Sequence, residues 1–184
     1  AAHGGAESLG LVFSLMPKPF ADQPGSGLHF HLSLEDANGR MVMRDSGSAR
    51  LGLSTIGQHF LGGLLAHAGA LTALCAPTVN SYKRLCAGAA RSGSTWVPGL
   101  ALYGDNNRST LARITASRIE WRVPDGTCNP YLALAAIIAA GLDGVDRALD
   151  PGDPVVDDTG LWSDAQRQQH AGARLPATLA EAVD

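Results

Sequence analysis

Lysine is nearly missing from this 184-residue chain: of fourteen basic residues only Lys18 and Lys83 are lysine, and the other twelve are arginine. Arginine is the planar, fork-shaped cation suited to carboxylates and phosphates, so the places where these side chains gather carry the information. A basic surplus is missing too. The formal net charge is −3, which leaves nothing to neutralise a phosphate backbone and argues against a nucleic-acid partner. The cysteines, Cys75, Cys86 and Cys128, are odd in number and form no CxxC pair. That pattern speaks against a disulfide framework or a structural zinc site and fits free buried thiols in a reducing cytoplasm. No run of 18 apolar residues occurs, so no membrane span is expected, and the first fifteen residues lack the regions of a signal peptide. Internal repeats and low-complexity tracts are lacking as well. The chain opens on Ala1, as a processed chain or a piece of a longer one does.

What is present is the composition of a folded domain, with 45% apolar and 17% charged residues over a length that can bury a sizeable core. The apolar run LVFSL (11–15) predicts a buried strand, stopped by Pro17 and Pro19. After a turn-rich stretch over 21–27, a strand is expected from Leu28 to Glu35, with a hairpin turn at Asn38-Gly39 and a return over Met41 to Met43. Ile56, Phe60, Leu64, Leu65, Leu71 and Leu74 recur at helical spacing, which predicts one helix from Ser54 to Leu74 closed by Pro77. Gly57, Gly62, Gly63 and Gly69 each cost that helix about 1 kcal/mol relative to alanine, which makes sense if another backbone comes close.

Residues 78–112 read as a long loop rich in Gly, Ser, Asn and Arg, of the kind that is usually functional inside a compact domain. A second strand is expected over Arg118 to Val123, then a turn at Pro124-Asp125-Gly126. Asn129 and Pro130 open a helix that runs to about Leu149. Residues 150–184 read as a surface tail with one or two short helices.

Side chains alternate along a strand. Leu28, Phe30, Leu32 and Leu34 therefore share one face, and His29, His31 and Ser33 share the other. In the second strand Ile119, Trp121 and Val123 face one way, and Arg118, Glu120 and Arg122 the other. Either polar face can be a solvated surface, and the charged one a surface ion-pair ladder of little worth. On that reading Glu120 contributes little packing. The neighbourhood weighs against it. Arg84, Arg91, Arg108, Arg113, Arg118 and Arg122 lie in one segment against only Asp105 and Glu120. Such an excess repels itself unless an anion completes the site, and guanidinium binds phosphates and carboxylates bidentately. If the two strands are neighbours, His29 and Glu120 can share a divalent cation, manganese tolerating the nitrogen better than magnesium. The residues point to a metal-assisted site for a polyphosphate and a carboxylate. His59 and His67 read as packed structural histidines, and His3 and His170 as solvent-exposed ones. Gly25-Ser26-Gly27 lacks the GxGxxG spacing and reads as a turn whose backbone approaches a ligand.

At these points the chain resembles the glutamine synthetase family. MPKP (16–19) with GSGLHFHLS (25–33), PTVNSYKRL (77–85), NNRSTLARI (106–114), RIEWRVPD (118–125) and NPYLALAAIIAAGLDGV (129–145) follow in the family's order. The resemblance implies an ATP-dependent ligase that makes γ-glutamyl phosphate from glutamate and lets ammonia or another amine displace the phosphate. It implies an α+β fold in which an antiparallel, partial-barrel sheet is backed by two long helices, here in truncated form. Residues 1–149 would be the carboxy-terminal part of the catalytic domain and 150–184 its extension. The parent would be a cytoplasmic, ring-forming homo-oligomer.

Carried over by position, the resemblance makes His29 and Glu120 ligands of Mg or Mn. Gly25 would lend backbone to the glutamate pocket, and Arg84 and Arg122 would grip glutamate carboxylates. Arg108 would be the catalytic residue touching both nucleotide phosphate and the reacting carboxylate. Arg113 and Arg118 would lie along the ATP phosphates, with His31 and Ser33 on the ATP side. Three departures stand out. Pro24 replaces an asparagine of the family. The family's PGYEAP loop becomes CAGAARSGSTWVPG (86–99), longer and without an acid, which draws attention to alkylamine acceptors such as methylamine or a polyamine. The family also builds most of its two metal sites from glutamates that precede the matched segments, and the only acid before residue 20 here is Glu7. Alone, the chain is expected to have an incomplete metal site, exposed sheet edges and negligible ligase activity. A non-catalytic nucleotide- or glutamate-binding module is the rival reading.

Overall fold

The structure, a computed structural model, describes residues 2–86, 97–115 and 118–184. Helix α1 (Ala2–Ser8) opens the chain and buries none of its residues. Strand β1 (Phe30–Leu32) follows, then α2 (Thr55–Ala66), α3 (Ala68–Cys75) and α4 (Val79–Leu85). Strands β2 (Tyr103–Asp105), β3 (Ala112–Thr115) and β4 (Arg118–Trp121) lead into α5 (Pro130–Asp146), and two short helices, α6 (Asp164–Gln169) and α7 (Leu179–Val183), close it.

The strands form one sheet in the order β1-β4-β3-β2. β4 pairs antiparallel with both β1 and β3, as expected, but β2 runs parallel to β3. The architecture is therefore α+β with a mixed sheet, which corrects the wholly antiparallel expectation at one edge. Ile114, Ile119, Trp121 and Val123 bring the apolar face of the sheet to Phe60, Leu61, Leu64 and Ile137 of the helices, and these side chains make the core.

The glycines of α2 do what their cost implied. A Cβ on Gly63 would collide with the Ala140 carbonyl and the Gly144 backbone, and one on Gly144 with the His59 carbonyl and Gly63. α2 and α5 thus meet backbone to backbone. The single helix expected over 54–74 is in fact two. Ser54 caps α2 through the Gly57 N–H, and the chain leaves helical geometry at His67, whose imidazole reaches Asp143 on α5 at 2.7 Å while α3 turns to pack on α5 and α7. α5 starts as read, with Asn129 accepting from the Tyr131 and Leu132 N–H groups and Pro130 at the first position.

Two other expectations fail. LVFSL forms no strand and is exposed, Val12 to 95%. Among the described residues the sheet ends at β1, and an apolar run becomes a strand only beside a partner that takes its backbone hydrogen bonds. The long loop over 78–112 opens instead with α4, started by a reciprocal cap between Thr78 and Ser81. Arg91 and most of the 86–99 segment lie outside the described residues. The hairpin over 35–43 is reduced to one bridge, Glu35 to Met41, around a turn with Gly39 at φ 75°. The tail holds its short helices and is sewn to the β2 edge: Val155 N–H donates to the Tyr103 carbonyl at 2.8 Å and the Tyr103 hydroxyl to Gly152 at 2.7 Å. Among the described residues no helix is long and apolar enough to cross a membrane.

Candidate active site

The register of β1 on β4 sets His31 opposite Glu120, so His29 and His31 share a face with Glu120 and Arg122. β3 adds Arg113 directly across from Glu120 on the other side. Four of the sequence-derived residues meet here. Glu120 Oε1 lies 2.8 Å from His29 Nδ1 and accepts from Arg122 Nη1 at 2.7 Å, and Oε2 accepts from Arg113 Nη1 at 2.6 Å. The surface ladder is excluded, because Glu120 is 3% and Arg122 4% exposed. Glu120 is a carboxylate set between two guanidiniums and itself nearly closed to water.

Electrostatics fixes the charge states. Burial first, and then the neighbouring Arg122, push the His29 imidazole down to about 4, against the opposing pull of Glu120. His29 is therefore neutral near pH 7, and its contact with Glu120 is a hydrogen bond from Nδ1–H to a carboxylate, not an ion pair. Neutral imidazole is also the form that binds a metal. Burial pushes Glu120 upward, but the Arg113 hydrogen bond, Arg122 and His29 outweigh it and hold the carboxyl below its ordinary value. Burial lowers the Arg122 and Arg84 guanidiniums, Glu120 and Asp125 respectively opposing it.

The loop over 25–28 is pressed against this cluster. A Cβ on Gly25 would stand 2.6 Å from the Pro17 carbonyl and 3.0 Å from Arg84 Cγ, and one on Gly27 2.9 Å from His29 Nε2. Only glycine lets the strand entry approach so closely. Ser26 N–H donates to Pro17 at 2.8 Å, and Leu28 N–H to Pro124 at 2.9 Å, which lock that loop in place. Arg84 lies beneath it, buried, with Nη2 donating to the carbonyls of Val123 and Pro124.

The remaining sequence-derived residues stay at the rim. His31 on β1, Ser33 just past its end, Arg108 in the 106–110 loop and Arg118 at the start of β4 are exposed. Arg108 is still near enough to Arg122 to depress it.

Sequence reasoning passed over three contributors. Asn106 accepts from Arg113 Nε at 2.9 Å and from its Nη2. Asp125, fully buried behind Arg84, spends Oδ1 on Thr127, and its Oδ2 has no hydrogen-bond partner among the described residues. Lys18 is buried, with Nζ on the Gln23 carbonyl and its peptide group paired with Asn80. In the sequence Asp125 read as a turn residue only. The left-handed preference of asparagine was the one available signal for Asn106.

As a metal site the donor chemistry fits in part. One neutral imidazole and one carboxylate converge, and among the described residues no third His, Cys, Asp or Glu joins them. A cation here would draw its other ligands from water, substrate oxygens or further polypeptide.

Comparison with known proteins identifies the family. A family model described as glutamine synthetase, catalytic domain, matches residues 1–184. A glutamate–methylamine ligase of Methyloversatilis universalis is 49% identical over 178 residues, covering 97% of this chain and 40% of that protein. A glutamine synthetase of Rhizobium meliloti is 44% identical over 179 residues, with 97% and 40% covered. Among solved structures, one described as a GmaS/ADP complex superposes with a TM-score of 0.85 at 46% identity, covering 98% of this chain and 41% of that one. The chain thus spans about two-fifths of the length of the relatives it matches.

Proposed function

The chain belongs to the glutamine synthetase family, and from that premise we propose that it carries the arginine-rich part of a site where ATP phosphorylates the γ-carboxylate of glutamate and an amine then displaces phosphate. The observation that carries the reading is Glu120: a buried carboxylate held by two arginines and 2.8 Å from a neutral imidazole. His29 and Glu120 would hold Mg or Mn, which when bound supplies Lewis-acid neutralisation of the phosphates. Arg122 would turn its guanidinium toward a glutamate carboxylate. Arg84 keeps one edge on the Val123 and Pro124 carbonyls, so it would present only its Nη1 side, beside Gly27. The Gly25 backbone would close the same pocket. Arg108, exposed yet near Arg122, is suited to meet the transferred phosphoryl group, and Arg113, Arg118, His31 and Ser33 to line the nucleotide side.

The acceptor is ammonia or a small amine. Similarity to a protein named for methylamine, at 49% identity, gives the alkylamine reading equal standing with ammonia. The decisive assay grafts these residues onto the matching segment of the Methyloversatilis relative and supplies ATP, Mg, glutamate and either ammonia or methylamine. Glutamate-dependent phosphate release with a γ-glutamyl product is the expected result, lost with Glu120→Gln and strongly reduced with Arg122→Lys. Full activity in Glu120→Gln would remove this carboxylate from the site. Nucleotide binding without any product would favour the non-catalytic module instead. The 184 residues by themselves are expected to bind without turnover, because among the described residues only His29 and Glu120 come together as metal donors.

A further inference from the structure

Among residues 2–28 only Pro17 and Lys18 are buried, so no large apolar side chain anchors the arm that carries Gly25. Hydrogen bonds hold it instead. Lys18 Nζ donates to the Gln23 carbonyl at 2.5 Å, and Ser26 N–H to the Pro17 carbonyl at 2.8 Å, which draws residues 17–26 into a closed loop. Asn80 docks that loop on α4. Its Oδ1 accepts from the Lys18 N–H at 2.6 Å and its Nδ2 donates to the Lys18 carbonyl at 2.9 Å, so one side-chain amide satisfies both backbone polar groups of one residue.

The face of α4 that grips the loop also carries Arg84, one helical turn on from Asn80. A Cβ on Gly25 would stand 3.0 Å from Arg84 Cγ and 2.6 Å from the Pro17 carbonyl, so loop and arginine are in close contact. Arg84 cannot follow a loop that drifts, because it is buried and its Nη2 donates to the carbonyls of Val123 and Pro124. α4 is fixed at its start by the reciprocal cap of Thr78 and Ser81, with Ser81 fully buried. On the far side of Gly25, Leu28 N–H is tied to Pro124. The near side is left to Asn80.

We propose that Asn80 is a positioning residue for glutamate binding: by clamping the Lys18 peptide groups it sets the span between the Gly25 backbone and Arg84. It acts through these two and touches no substrate. This rests on the reading of Gly25 and Arg84 as glutamate-binding groups, and it adds a consequence of its own. Loss of the clamp loosens the glutamate side alone, because Arg113 and Arg118 of the nucleotide side are carried by β3 and β4.

The test uses the isotope-labelled 184-residue chain at pH 7, titrated with L-glutamate and separately with ATP, and followed by amide chemical shifts. Asn80→Ala is expected to weaken glutamate binding by about tenfold, the scale of two lost hydrogen bonds worth a factor of about two to ten each, and to leave ATP affinity unchanged. The Ser26 amide, which bonds to Pro17 and not to Asn80, exchanges with solvent faster by a similar factor, while the Leu132 amide at the cap of α5 keeps its rate. A merely structural role would weaken both ligands together and speed exchange throughout. Glutamate affinity or Ser26 exchange at the wild-type value in a folded Asn80→Ala overturns the proposal, and so does an equal loss of ATP. Where circular dichroism shows that this variant does not fold, Asn80→Ser, whose hydroxyl is too short to bridge both groups, is held to the same outcomes. Arg84→Lys separates the two levels of inference, since it weakens glutamate binding if the pocket lies here. Wild-type affinity in that variant, or no glutamate binding by the parent chain, sinks the pocket and the role of Asn80 with it. Weakened binding there beside an unaffected Asn80→Ala sinks the clamp alone.

Discussion

Glu120 and Asp143 each stand between an imidazole and a guanidinium, but one lies at the bottom of a charged pocket and the other on the outside of a helix. Asp143 Oδ2 is 2.7 Å from His67 Nε2 and accepts from Arg147 Nη1 at 2.9 Å, a pairing one helical turn apart on α5, and its side chain is 38% exposed. Glu120 gathers His29, Arg113 and Arg122 from three strands or their extensions and is almost closed to solvent. Similar groups at similar distances therefore do different work. Water screens the outer triad, which serves as a tie between α2 and α5. In the inner one desolvation makes every charge depend on its partner, and that dependence leaves it sensitive to an incoming ion.

Removing the two carboxylates in turn gives the strongest contrast. Glu120→Ala strands the buried Arg122 guanidinium and takes a partner from the half-buried Arg113, and is expected to destabilise the fold by about 3 kcal/mol in denaturant unfolding. The reading of Glu120 as a surface-facing carboxylate implied no such loss, and a wild-type midpoint for this variant would restore it.

The next largest effect is on pH. With His29 pushed down to about 4 from an ordinary 6.5, the unfolded chain binds the proton that the folded chain refuses. Stability from this group is fully present above pH 6.5, is lost as pH falls toward 4, and changes no further below that. In the presence of a chelator, His29→Gln should flatten that part of the stability–pH curve. An identical slope in wild type and variant would show that the imidazole titrates normally.

The smallest effect belongs to Asp143→Ala, which should leave the melting temperature without a resolvable change. A drop comparable with that of Glu120→Ala would break the comparison by showing that exposure does not set the worth of these triads.

Much of the site was legible because strand alternation is a strictly local rule. Once Leu28–Leu34 and Arg118–Val123 were read as strands, His29, Glu120 and Arg122 had to project from polar faces, and the tally of arginines against Asp105 and Glu120 marked the region as anion-seeking. The α2 glycines announced a close approach before its partner on α5 was known. Other features were hidden because their causes are non-local. LVFSL carries a strand's composition but lacks a sheet neighbour among the described residues. The partner that His67 meets at the break between α2 and α3 is Asp143, 76 residues away. Asn106 gives no sign in sequence that its amide will meet Arg113, since that contact exists only when the chain turns back from β2 to β3.

The sequence by itself determined which residues carry charge, which faces of the two key strands are polar, and where α5 begins, because alternation and capping act over a few residues. Only the tertiary structure decided that the polar faces turn inward, that β2 runs parallel to β3, and that His29 lies neutral against Glu120. The reason is desolvation: whether a carboxylate between arginines is ornament or apparatus depends on how much water reaches it, and that is set by strands far apart in the chain.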